Sequence, residues 1–145
     1  DQETRVLMEA PFRPAKGAEA WQMRNPPILS LAPVVASLEL FQRAGLDELR
    51  DKSRLLTGYL RWLLEKRFAG RIRILTPENA QGCQLSLVVE DGSRNPRNIF
   101  DRLVELNVTG DWRNPDVIRV APAPMYNSFA DVFEFAERLE LAFAK

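Results

Sequence analysis

The residues best suited to chemistry lie in one short run, residues 118–129 (IRVAPAPMYNSF). Arg119 comes at the end of a β-like segment, and Pro122 and Pro124 restrict the backbone that follows it, before Tyr126 and its neighbouring asparagine. An arginine held on a strand beside rigid backbone can bind a planar carboxylate through two parallel, charge-assisted hydrogen bonds. A surface arginine on an edge strand before a proline-rich turn would show the same pattern.

The rest of the composition argues against several kinds of site. The sequence has no histidine, so it lacks the commonest general base and the commonest metal ligand. Lys plus Arg number 20 and Asp plus Glu number 20, which gives no electrostatic reason to expect a nucleic acid or a membrane surface as partner. No apolar run approaches the roughly 18 residues of a membrane span. We therefore expect no metal site, no self-contained hydrolase, and no nucleic-acid or membrane binding.

Two further features each have a functional and a structural interpretation. Cys83 is the single cysteine, which excludes an internal disulfide and fits a reducing cytoplasm. A reactive thiol needs a cationic or helix-terminal setting, so a buried or half-buried structural cysteine is favoured. Tyr59 and Trp62 could stack on a cofactor, but aromatic residues at helical spacing are more often packing or interface residues.

Hydrophobic periodicity predicts the helices that would help to position this chemistry. Apolar residues at three- and four-residue spacing predict a helix that begins at Ile28 and stops near Gly45, and a longer helix follows with Asp47 as its expected N-cap. Pro96 suits the first turn of a third helix. Ser128 begins the last helix, with Asp131 three residues later as a weaker form of the capping box.

The remaining periodic segments predict a small sheet. Alternating polar and apolar residues indicate strands near residues 71–76, 84–90, 108–111 and 117–120. The order is helix, helix, strand, strand, helix, strand, strand, helix. Strands joined by short turns leave the helices to cover one face, so the fold class is α+β, with a small, mainly antiparallel sheet covered by helices.

The N-terminal part differs in character from the rest. Residues 1–27 contain several prolines and no sustained periodicity, which indicates a lead-in or linker, and residues 28–145 would form the folded domain. The sequence begins at Asp1 rather than at methionine, which suggests a piece of a longer protein. We expect the lead-in, with Phe12 and Trp21, to pack on a neighbour or to be poorly ordered, and we expect apolar faces that meet a missing domain to be exposed.

Several short segments, taken in order, resemble the kynureninase family of the class V aminotransferase superfamily. They are residues 21–28 (WQMRNPPI), 53–60 (SRLLTGYL), 74–77 (ILTP), 82–85 (GCQL) and 113–115 (RNP), together with the run that contains Arg119. Each motif is weak by itself, but together they spread over nearly all of residues 12–140.

The resemblance implies both a fold and a function. Kynureninases are pyridoxal-phosphate-dependent homodimers of fold type I, with a large cofactor domain and a C-terminal small domain. They hydrolyse kynurenine or 3-hydroxykynurenine to anthranilate or 3-hydroxyanthranilate and alanine in tryptophan catabolism. The chain would be the small domain of such a cytoplasmic enzyme. Arg119 would bind the substrate α-carboxylate, and Asn25 would lie at the edge of the cofactor and substrate pocket, where Arg24 departs from the family's usual small polar residue.

The catalytic residues of the family are not expected in this sequence. Pyridoxal phosphate acts as an electron sink after a lysine amine condenses with it. None of the lysines stands in a family-like context for this reaction; they are Lys16, Lys52, Lys66 and Lys145. We therefore expect no catalytic residue here, no pyridoxal phosphate bound to this chain alone, and no activity of the chain alone.

Two other interpretations stay open. Another class V enzyme, such as a cysteine desulfurase, would share the arginine and Tyr-Asn pattern, although the Asn-Pro-Pro and Gly-Cys-Gln-Leu segments fit kynureninase better. A stand-alone ferredoxin-like ligand-binding module would fold with its own ligand and need no upstream sequence. A lysine-bearing domain encoded upstream of Asp1 would favour an enzyme.

Overall fold

The computed structural model describes residues 13–22, 25–92 and 94–144. Over these residues the α-helices are α1 (Ile28–Ala44), α2 (Leu46–Arg67), α3 (Pro96–Glu105) and α4 (Phe129–Phe143). The strands are β1 (Ile72–Ile74), β2 (Leu85–Val89), β3 (Asp111–Arg113) and β4 (Val117–Val120). Short 3₁₀ turns lie at Gly17–Trp21 and Glu78–Ala80. No helix of the described segments is long and apolar enough to cross a membrane.

The chain divides into two compact units, Asp1–Leu40 and Phe41–Lys145, so the division falls within α1. The sheet and the helices α2 to α4 all belong to the second unit. The boundary predicted between lead-in and small domain, at residues 27 and 28, concerns the whole protein and stays a prediction.

α1 forms where periodicity predicted it, but none of its residues is buried. Its exposed apolar side chains include those of the predicted stripe: Ile28, Leu31, Val34, Val35, Leu38 and Phe41. In the lead-in, the Trp21 side chain is 86% exposed. The expectation that apolar side chains are exposed holds for Trp21 and for these residues of α1. Phe12 and Arg24 lie outside the described residues.

The sheet of the second unit is antiparallel throughout, as expected. Its strand order is β1-β2-β4-β3, and each neighbouring pair is antiparallel. In the register, Ser86 of β2 and Asp111 of β3 lie on either side of Arg119 in β4. Arg119 is therefore on a central strand and not on an edge strand.

The prediction for β3 was wrong by about three residues, because the end of α3 uses the backbone that would have begun the strand. Asn107 has a positive φ of 59°, which turns the chain out of the helix. Val108 N–H donates to Leu103 C=O, and Asn107 N–H donates to Val104 C=O, a Schellman-type C-cap. The amide of Val108 is therefore bonded to the helix, and pairing begins only at Asp111.

The helix starts also differ from expectation in one case. The N-cap of α2 is Gly45, with a φ of 84°, and not Asp47, which lies in the first turn of the helix. α4 begins as predicted, with a complete capping box: Ser128 Oγ accepts from Asp131 N–H at 3.3 Å, and Ser128 N–H donates to Asp131 Oδ2 at 2.7 Å.

Helices α2, α3 and α4 cover one face of the sheet, and the core lies between these two layers. The largest fully buried side chains are Phe68, Leu56, Leu64, Leu85, Leu87, Leu103 and Leu139. On β4, Ile118 and Val120 belong to this core. Because side chains alternate along a strand, Arg119 projects from the opposite face of the sheet.

Candidate anion-binding site on the open sheet face

Arg119 is held by a carboxylate on the neighbouring strand. Asp111 and Arg119 are directly paired across β3 and β4. Arg119 Nε donates to Asp111 Oδ2 at 2.6 Å, and Arg119 Nη2 donates to the same oxygen. The Arg119 side chain stays 28% exposed. Within the described segments no partner contacts its Nη1, so one side of the guanidinium is engaged and the other is open.

A second guanidinium shares the same carboxylate oxygen. Arg113 Nε donates to Asp111 Oδ2 at 2.9 Å from the far end of the same strand. The pKa of Asp111 lies below its ordinary value, chiefly because Arg119 hydrogen-bonds to the carboxylate, with the positive charge of Arg113 adding to the effect. Two guanidiniums against one carboxylate leave this cluster with a single net positive charge, which suits an anionic ligand.

On its other side Arg119 faces a small residue. Its partner on β2 is Ser86, whose neighbours Leu85 and Leu87 belong to the core, so the serine lies on the same open face as Arg119. Ser86 is fixed by its backbone: its N–H donates to Thr76 Oγ1 at 2.9 Å, and its C=O accepts from Leu75 N–H. The surface beside the guanidinium is thus formed by a short side chain on regular backbone.

Two side-chain hydrogen bonds hold the loop that follows β4. Asn127 Oδ1 accepts from Ala123 N–H at 2.8 Å, which closes the Pro-Ala-Pro-Met-Tyr-Asn loop upon itself. Lys52 Nζ of α2 donates to Pro124 C=O at 2.8 Å. Tyr126 is 79% exposed at the tip of this loop.

A cavity of the second unit does not have Arg119 among its lining residues. It has a volume of about 550 Å³ and lies beside α4, where Tyr126, Asn127, Asp131 and Arg138 are among its lining residues. Arg119 projects from the open sheet face and does not line it. The candidate site is therefore an exposed sheet surface and not an enclosed pocket.

The other predicted site residue, Asn25, lies in the first unit. It is exposed and lies outside any helix or strand, immediately before Pro26 and Pro27. The structure places Asn25 and Arg119 in different units, each described by itself. Arg24, at the predicted pocket edge, lies outside the described residues.

The remaining residues considered for chemistry have structural surroundings. Cys83 is half-buried, as expected for a structural cysteine. The Tyr59 and Trp62 rings stack with centroids 6.1 Å apart; Tyr59 packs against the core and Trp62 is 52% exposed. In the described part of the chain, no group of three or more His, Cys, Asp or Glu side chains could hold a metal ion.

The contact between Asp111 and Arg119 was not predicted from the sequence, although the spacing of the hairpin residues indicates it. A three-residue turn, residues 114–116, joins β3 and β4 in a hairpin. Counting outward from that turn pairs Arg113 with Val117, Trp112 with Ile118, and Asp111 with Arg119, which is the observed register. The signal was missed because the strand was placed three residues too early, and that shift separates the acid from the arginine.

Comparisons with known proteins identify relatives of this chain. The family model described as the kynureninase C-terminal domain matches residues 49–139. A kynureninase of Stenotrophomonas maltophilia is 51% identical over 142 residues, which are 97% of this chain and 34% of the relative. A kynureninase of Xanthomonas campestris is 49% identical over 142 residues, which are 97% of this chain and 34% of that relative. The chain thus spans about a third of the length of these relatives.

Two solved structures share the fold. A C-DES mutant with glycine covalently linked to its PLP cofactor superposes with a TM-score of 0.69 at 21% identity, covering 86% of this chain and 32% of that one. A NifS-like protein superposes with a TM-score of 0.68 at 15% identity, covering 97% of this chain and 40% of that one. At these identities the likeness concerns the fold alone.

Proposed function

The chain belongs to the kynureninase family through its C-terminal domain, and we propose that it is the substrate-anchoring small domain of a pyridoxal-phosphate-dependent kynureninase. The whole protein would hydrolyse kynurenine or 3-hydroxykynurenine, releasing alanine and anthranilate or 3-hydroxyanthranilate. The observation that carries the proposal is the 51% identity with a kynureninase over 97% of this chain.

Within this proposal Arg119 binds the α-carboxylate of the substrate. Its open Nη1 side and the net positive charge of its cluster support this role. A planar guanidinium fixed on a central strand orients a bound carboxylate, and orientation of the reacting bonds lowers the barrier of a reaction. Asn25 is proposed to contact the edge of the cofactor and substrate pocket in the whole protein.

The residues described here are not sufficient to hold pyridoxal phosphate. When bound, this group supplies an electron sink, and it requires a lysine amine. Lys52 is engaged by the carbonyl of Pro124, and Lys16 and Lys66 are exposed on the surface. We therefore propose that the cofactor is held by the part of the protein that this chain does not span, and that this chain alone is inactive.

The same proposal covers assembly and location. We propose that the whole protein is a cytoplasmic homodimer, in line with the family, and that neither nucleic acid nor a membrane is its partner. The exposed apolar residues of α1 support a role for this helix in contacts with the rest of the enzyme.

An assay of the full-length protein tests the activity. Purified enzyme with pyridoxal phosphate is given kynurenine, 3-hydroxykynurenine or cysteine in separate reactions, and the products are followed by chromatography. We expect anthranilate or 3-hydroxyanthranilate together with alanine. Turnover of cysteine to alanine and enzyme-bound sulfur, without turnover of either kynurenine, would instead indicate a cysteine desulfurase. Ligand binding by the 145-residue chain with no active full-length protein would favour a stand-alone module.

A further inference from the structure

The geometry around Arg119 assigns a separate role to Asp111. An arginine side chain has five N–H donors in a planar fork. Asp111 engages Nε and Nη2 through one oxygen, Oδ2. The edge formed by Nη1 and the second hydrogen of Nη2 keeps two parallel donors. That edge is the one that can bind another carboxylate in the bidentate manner.

The backbone fixes the position of this contact. Asp111 and Arg119 are Cα partners in the hairpin, so the acid is carried by the sheet and not by a mobile loop. Arg113 donates to the same Oδ2 and holds the carboxylate from a second direction. A long arginine side chain loses much rotamer freedom when it binds, and a contact that fixes it beforehand reduces that loss.

We propose that Asp111 is a positioning residue of the site: it holds the guanidinium of Arg119 by the Nε/Nη2 edge so that the Nη1/Nη2 edge faces the carboxylate of an amino-acid substrate. This inference rests on the proposed function of Arg119. Among the described residues, the carboxylate of Asp111 accepts hydrogen bonds from Arg113 and Arg119, so it would act on the substrate through Arg119.

Net charge and positioning predict opposite effects on substrate binding when the Asp111 carboxylate is neutralised. Neutralising Asp111 would raise the net charge of the cluster from one positive charge to two, and by charge alone an anionic substrate would bind more tightly. Positioning predicts weaker binding, because the freed guanidinium samples many rotamers. The sign of the change in KM therefore separates the two explanations.

The test compares variants of the full-length enzyme with pyridoxal phosphate. Asp111→Asn keeps the shape of the side chain and removes its charge. We expect its KM for kynurenine to rise about tenfold, with a much smaller change in kcat, because one charge-assisted contact is lost. Asp116→Asn is the matched control, since Asp116 lies in the turn of the same hairpin and has no ion pair among the described residues. It should leave KM unchanged.

A double substitution shows whether Asp111 acts through Arg119. In an Arg119→Ala background, Asp111→Asn should cause no further loss of kcat/KM, because the group that it positions is gone. If Asp111 only supported the fold, the two losses would add. Cofactor absorbance and thermal unfolding of each variant show whether the protein is folded. If Asp111→Asn does not fold, Asp111→Glu replaces it; this variant keeps the charge but displaces the carboxylate by one methylene, and KM should still rise.

The outcomes separate this inference from the proposed function. A lowered or unchanged KM in Asp111→Asn, or in Asp111→Glu where that variant is used, would overturn the positioning role, as would additive losses in the double variant. If Arg119→Ala is strongly impaired at the same time, the carboxylate-anchor proposal stands. Near-normal kcat/KM in Arg119→Ala would instead overturn the anchor itself, and the positioning role with it.

Discussion

At the residue scale, the guanidinium group of Arg119 is hydrogen-bonded along one edge and leaves another edge open. Its Nε and Nη2 contact Asp111, while the side chain remains 28% exposed on the open face of the sheet. The position of the arginine on a strand could be predicted from the sequence, because alternation marks Ile118 and Val120 as buried and leaves the residue between them on the other face. Its partner could not be predicted without the correct hairpin register.

Substitution of Arg119 in the full-length enzyme should lower kcat/KM in a graded way. Arg119→Lys keeps a positive charge but loses the planar fork. One charge-assisted hydrogen bond lost or misplaced costs about 1.5–3 kcal/mol, which corresponds to roughly one to two powers of ten in kcat/KM. Arg119→Ala should cost more, and cofactor absorbance should stay normal in both. Steady-state kinetics showing near-normal kcat/KM in Arg119→Ala would return this residue to the role of a surface arginine.

At the element scale, the chain was predicted well where one side chain decides the start of an element. Ser128 begins α4, and Pro96 occupies the first turn of α3, where Asn95 Oδ1 accepts from Arg97 N–H. The prediction failed where backbone conformation decides. Gly45 before α2 and Asn107 after the C-cap of α3 both have a positive φ, and hydrophobic periodicity does not indicate such a backbone conformation.

The capping box of α4 should contribute measurably to stability. Ser128→Ala removes the oxygen that accepts from Asp131 N–H, and the loss of an N-cap typically costs about 1 kcal/mol. Chemical denaturation of the 145-residue chain should show this decrease. Ser53→Ala serves as control, because this serine lies inside α2, where alanine is the better helix former. Equal stabilities of Ser128→Ala and the parent chain would show that the cap adds nothing here.

The same box should make stability depend on pH in the acid range. The pKa of Asp131 lies below its ordinary value, mainly because the backbone N–H of Ser128 donates to the carboxylate. A carboxylate with a lowered folded-state pKa contributes stability that is fully present above the unfolded-state pKa of about 3.9, and this stability is lost as pH falls through the folded-state pKa. The difference in unfolding free energy between the parent chain and Asp131→Asn should therefore shrink as pH falls below about 4. A difference that stays constant between pH 6 and pH 3 would contradict this assignment.

At the scale of the whole molecule, α1 is the feature that the small domain does not explain by itself. The helix was predicted from its apolar periodicity, and that periodicity ordinarily indicates a face turned toward a core. Here no residue of α1 is buried, and Leu29 is 90% exposed. The chain spans about a third of its kynureninase relatives. Apolar periodicity indicates that a helix has a face suited to burial, but it does not indicate which part of the protein would cover that face.

The exposed apolar side chains of α1 should make the isolated chain associate. Apolar patches of this kind promote self-association, so light scattering of the 145-residue chain should show species larger than a monomer at high concentration. The double substitution Leu29→Lys and Leu38→Lys should shift the population toward monomer. Leu75→Lys, at a 42% exposed position outside this helix, is the control. A strictly monomeric parent chain at high concentration would contradict the prediction.

The three-residue turn between β3 and β4 sets a limit on how this domain can vary. Most surface loops tolerate changes of length, because closing a slightly longer loop costs little entropy. Residues 114–116 are different, since they determine which residue of β3 lies opposite Arg119. A single inserted or deleted residue that shifted the register by one would turn Asp111 to the other face of the sheet and separate the two charges. The length of this loop, and not the identity of the side chains within it, therefore keeps Asp111 opposite Arg119.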